Sequence, residues 1–70
     1  MNGRIYRVIV AGELGARFTD AFEGMEVTTA DGETEIKGVI IDRARLRALL
    51  KRIDDLGLTL LSVSSESNAI

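Results

Sequence analysis

The chain has 70 residues, 46% of them hydrophobic and 29% charged, with a formal net charge of −2 and neither histidine nor cysteine. A chain this short makes one domain that buries only about three-fifths of its unfolded surface, so assistance from self-association is expected. The missing cysteines exclude disulfides, thiolate nucleophiles and cysteine-type zinc or iron–sulfur sites, and the missing histidines exclude imidazole ligands and the commonest general base. No apolar run approaches the ~20 residues of a membrane span, and Met1–Arg4 leads straight into strand-like alternation, which predicts no export signal and a cytoplasmic location.

Arg4 to Ala11 sets Tyr6, Val8 and Val10 on one face and Ile5, Arg7 and Ile9 on the other, the period of two that marks a strand. From Gly12 to Gly24 the residues Leu14, Phe18, Ala21, Phe22 and Met25 recur at spacings of three and four, which predicts a short helix of about two turns capped by Gly24. A two-residue Asp31-Gly32 turn then pairs Ala30 with Glu33, Thr29 with Thr34, Val27 with Ile36, Glu26 with Lys37 and Met25 with Gly38. That register gives an inner face of Met25, Val27, Thr29, Ile36 and Ile40 and an outer face of Glu26, Thr28, Glu33, Glu35 and Lys37. Asp42 is a suitable N-cap for a second helix whose stripe of Leu46, Leu49, Leu50, Ile53 and Leu56 ends at Gly57. Leu58 to Val63 follows as a strand with Leu58 and Leu60 on one face and Leu61 and Val63 on the other, and Ser64 to Ile70 is read as a flexible tail.

The order strand, helix, strand, strand, helix, strand predicts an α+β domain over residues 1–63 with a ferredoxin-like split βαβ sandwich: four antiparallel strands in spatial order 4-1-3-2 and two helices on one face. Helices covering the inner face leave Ile5, Ile9, Val39, Ile41, Leu61 and Val63 together on the other, an apolar patch that a second molecule would bury. A homo-oligomer, with a dimer favoured, or a complex with a protein partner is therefore expected.

Charge is segregated. Asp20 to Glu35 holds six acids and no base, whereas Arg43 to Arg52 holds five bases and no acid. The basic helix could in principle face nucleic acid through Arg43, Arg45, Arg47, Lys51 and Arg52. Solvated helix charge is the better reading, since the stacking aromatics and the basic balance of a nucleic-acid binder are missing. Asp54 and Asp55 oppose the negative end of the helix dipole, and Lys51, one turn before Asp55, is a natural counter-charge. The turn Gly12, Glu13, Leu14, Gly15 and Ala16, where a strand hands over to a helix, is a candidate anion site through free backbone N–H groups. It lacks the third glycine of a dinucleotide fingerprint and the lysine of a P-loop. The serines and threonines have no base to activate them, so no catalytic residue, metal site or cofactor is nominated.

The segments Phe22-Glu23-Gly24-Met25, Asp31-Gly32-Glu33-Thr34, Gly38, Asp42 and above all Ile53-Asp54-Asp55-Leu56-Gly57-Leu58-Thr59-Leu60-Leu61-Ser62-Val63 resemble a set of short bacterial proteins without assigned function. The resemblance covers Gly12 to Val63 and implies no activity. Those proteins commonly carry tryptophan where this chain has Phe18 and Phe22. The helix–strand ending is similar to that of ACT-type regulatory domains in element order, which implies a dimer and, as an alternative function, a sensor of a small anionic metabolite at the Gly12–Ala16 turn. The leading expectation is a non-enzymatic interaction or accessory module that self-associates through the open sheet face.

Overall fold

The computed structural model describes residues 3–22 and 24–66. Its elements are β1 (Arg4–Ala11), α1 (Ala16–Ala21), β2 (Glu26–Ala30), β3 (Glu33–Ile40), α2 (Arg43–Asp55) and β4 (Leu60–Glu66). The four strands form one antiparallel sheet in the order β2-β3-β1-β4, which leaves β2 and β4 at its edges. The hairpin pairs as the Asp31-Gly32 turn dictates, from Ala30 with Glu33 to Glu26 with Lys37. Both turn residues have positive φ, 51° and 80°, the geometry whose twist matches that of the flanking strands.

The α2 helix is closed at both ends by its own sequence. The Asp42 carboxylate accepts the Arg45 amide at 2.8 Å, satisfying one of the four amides that a helix start leaves unpaired. At the other end Gly57 turns left-handed at φ +76°. Its amide donates to the Asp54 carbonyl while that of Leu58 reaches back to Ile53. This six-to-one and five-to-two pair of bonds is a Schellman ending, and it sends Leu58 into contact with the core.

The structure overturns the expected ferredoxin-like sandwich, because that fold needs two helices side by side over the sheet. Here α2 alone, thirteen residues long, forms the helical layer, and α1 is six residues, less than two turns. Gly12, at φ +95°, turns the chain after β1, the Gly15 carbonyl accepts the Phe18 amide at 3.0 Å at the start of α1, and Gly24, at φ +86°, ends the segment on its far side. Leu14 and Met25 consequently pack on the core from turns rather than from a helix. The molecule is a mostly β, α+β domain with one substantial helix on one face.

The core lies between α2 and the two central strands and consists of Val8, Val10, Phe22, Ile36, Ile40, Leu49 and Ile53. Thr34 is fully buried beside them.

The last strand runs further than its composition suggests. Ser64, Ser65 and Glu66, expected in the flexible tail, pair with Arg7, Tyr6 and Ile5. Strand pairing is a backbone interaction and does not require apolar side chains once a neighbour is present. The rest of the expected tail, residues 67–70, lies outside the described residues.

Candidate functional site

The sheet face turned away from α2 is less apolar than parity alone implies. Ile5 and Val39 are directly opposite each other at one end, with the exposed Ile41 following β3, and Ile9 stands further along β1. Between Ile5 and Ile9 sits Arg7, directly across from Lys37. Two like charges in that position repel. Glu35 and Glu66, one step diagonal to Arg7 on either neighbouring strand, compensate. Arg7 Nε lies 2.6 Å from Glu35 Oε2, an ion contact rather than an aligned hydrogen bond, since this N–H has no hydrogen-bond partner. Its Nη2 donates to Glu66 Oε2, which Lys37 Nζ also approaches at 3.9 Å. These side chains are about a third exposed, and the network fixes the centre of this face as polar.

Val63 does not join Ile5, Ile9, Val39 and Ile41 on that face. Val63 pairs with the buried Val8, and Leu60 with the buried Val10, which sets both on the helix side of the sheet. The register shifts by one residue between Ile9 and Val10, so Leu61 is the additional residue of a bulge. At Leu61 itself the alternation is interrupted, so it continues the row of neither face. An uninterrupted period of two counted along the sequence misses this shift, because one inserted residue reverses every later side chain. Leu60 and Val63 are 44% and 37% exposed although they share a face with the core valines, and Leu61 at the bulge is 48% exposed. The helix therefore covers β3 and β1 and leaves β4 open. The six expected interface residues therefore do not all lie on one surface.

The Gly12–Ala16 turn is engaged by its own protein. The Gly12 amide donates to the Gly32 carbonyl at 2.6 Å. The Thr34 hydroxyl donates to the Gly12 carbonyl at 2.7 Å and accepts the Leu14 amide at 3.0 Å. The Glu13 carboxylate, in turn, accepts the Gly32 amide at 2.9 Å. Two of the amides that would have received an anion are thus used to bind the first turn to the hairpin, and a carboxylate stands beside them. Thr34, which the sequence reading left unassigned, is the residue that holds this turn. Its position opposite Thr29 on the inner face was available from the hairpin register.

On α2 the five bases are all exposed but do not make one stripe. At 100° per residue, Arg43, Arg47 and Lys51 follow one flank of the apolar face and Arg45 and Arg52 the other. Lys51 lies 3.6 Å from Asp55, the intrahelical pair that the sequence suggests, and Arg52 Nη1 donates to the Ala21 carbonyl at 3.3 Å. Arg45 and Arg52 border a groove of about 510 Å³ whose apolar wall includes Phe22, Met25, Ile40 and Leu49. Among the described residues no group of three or more acidic, histidine or cysteine side chains is placed to hold a metal ion, and no helix is long and apolar enough to cross a membrane.

The model of a protein family described as a domain of unknown function, DUF8691, matches residues 5–64. The chain belongs to this family. The match runs from the second residue of β1 to the middle of β4, so DUF8691 includes the hairpin, α2, the Gly12–Ala16 turn and all six of the aliphatic residues considered above. No curated protein and no solved structure matches the chain. The family sets the extent of the domain and assigns it no activity.

Proposed function

We propose that this domain is a non-enzymatic interaction module of the cytoplasm that acts by associating with further copies of itself or with a protein partner. One observation supports this reading most: among the described residues, against seven hydrophobic residues in the core, six large aliphatic side chains stand more than a third exposed, namely Val39, Ile41, Leu56, Leu60, Leu61 and Val63. Fully burying one such side chain is worth about 1.5–3 kcal/mol. A domain of this length has a net stability of only roughly 4–10 kcal/mol at the usual value per residue. These six are 37–63% exposed rather than fully so, and covering two of them is worth about half of the full-burial figure each, still a sizeable share of the total.

The ACT-type sensor and the nucleic-acid binder have less support. The Gly12 and Leu14 amides are already bonded within the chain, and the bases of α2 diverge on two flanks of a protein whose net charge is −2. Size-exclusion chromatography with light scattering tests the proposal: at tens of micromolar the chain elutes with about twice its monomer mass. A monomer that also recovers no protein partner from a lysate contradicts it. Thermal shift with amino acids and nucleotides, and nucleic-acid retention at low salt, test the other two.

A further inference from the structure

We propose that two copies of this chain join β4 to β4, antiparallel about a two-fold axis at Val63, so that the two sheets become one of eight strands. The proposal rests on the self-association reading and names the edge at which the copies meet.

The open side of β4 dictates what can occupy it. The Ala11 amide reaches the Thr59 carbonyl, so alternation along β1 turns the peptide groups of Ile9, Arg7 and Ile5 towards β4 as well. Their partners Ser62, Ser64 and Glu66 are thereby engaged. The intervening residues, Val63 and Ser65, turn their N–H and C=O groups to the outside. Donors and acceptors at that spacing are matched by another extended backbone.

The two edges of the sheet differ in their defences. Natural edges are guarded by charges and prolines. The β2 edge is short, begins at Glu26, and belongs to the stretch from Asp20 to Glu35 that holds six acids and no base. In β4 the run Leu60–Ser65 has neither charge nor proline, and Glu66 at its end is held by Arg7 and Lys37. The bulge at Leu61 confines the regular part of this edge to Ser62–Glu66, and within that run nothing repels a second β4.

The strand is also complementary to itself. Centred on Val63, the pairing sets Val63 against its own copy and Ser62 against Ser64, short of the bulge at Leu61, with the two Glu66 carboxylates at opposite ends. On the helix side this sets the two Val63 side chains against each other beside the region that α2 leaves uncovered. Pairing β4 with β2 would instead be head-to-tail and open-ended, whereas β4 with β4 closes as a dimer.

The test uses the full chain and three variants, Val63→Lys, Ser65→Pro and Val39→Lys, with mass by sedimentation equilibrium and fold by circular dichroism. Proline at position 65 removes an outward N–H and leaves the bonds to β1 in place, which edge strands tolerate. The wild type is expected to be a dimer. Val63→Lys and Ser65→Pro should weaken it at least tenfold with unchanged dichroism, and Val39→Lys should leave it intact. Should Val63→Lys fail to fold, Ser65→Pro decides. A dimer insensitive to Ser65→Pro but lost in Val39→Lys overturns the edge pairing and leaves self-association standing. A wild type that stays monomeric overturns both.

Discussion

Replacing Thr34 by valine keeps its shape and removes its hydroxyl, which is the link between the first turn and the hairpin. The side chain is fully buried, and the oxygen serves two bonds, to the Gly12 carbonyl and from the Leu14 amide. Each hydrogen bond contributes about 1 kcal/mol net, and groups left without a partner in a partly buried turn add to the loss, giving a cost of about 2–3 kcal/mol. For a domain of this size, each kcal/mol moves the melting temperature by about 4–8 °C, so the midpoint should fall by roughly 10–20 °C. Thr34→Ser retains both bonds and loses one buried methyl group, at a cost of about 1 kcal/mol. Urea and thermal unfolding of both variants, together with amide exchange at Leu14, measure the difference. A valine variant as stable as the serine variant would refute the role given to the hydroxyl.

Three further outcomes follow from the same structure. Gly57→Ala should cost about 1 kcal/mol in urea unfolding, because an L side chain disfavours φ +76° even though no atom stands in its way. Asp42→Ala should cost about 1 kcal/mol through the lost cap on the Arg45 amide, and Asp42→Ser should restore most of it. Ile53→Ala, in a core of seven hydrophobic residues, should cost about 2–5 kcal/mol and leave the chain partly unfolded by far-ultraviolet dichroism at 37 °C.

The parts of the fold that local chemistry dictates were legible in the sequence. Asp31-Gly32 specifies the hairpin and its register, Asp42 and Gly57 delimit α2, and the alternation of Arg4 to Ala11 gives β1 together with its buried valines. The short first helix is legible from the spacing of Leu14, Phe18, Ala21, Phe22 and Met25, but Leu14 and Met25 meet the core from the turns on either side of it. Gly12, Gly15 and Gly24 argue against a continuous helix there. The β4 strand was misjudged for two reasons. Its bulge at Leu61 depends on how it meets β1, which no local pattern encodes, and the resulting register puts Val63 on the face opposite Ile5 and Ile9. The pairing of Ser64 to Glu66 depends on the open side of β1, not on their own side chains. The ion network around Arg7 was hidden for a related reason, since Glu35 and Glu66 reach it only across two strand boundaries.

Amide hydrogen exchange at Val63 and Ser65, followed from high to low protein concentration, tests the central claim most directly. Pairing between copies predicts that both amides are protected when the chain is concentrated and exchange rapidly on dilution, while Ser62 and Ser64, bonded to β1, stay protected throughout. Exchange at Val63 and Ser65 that is fast and independent of concentration would contradict it.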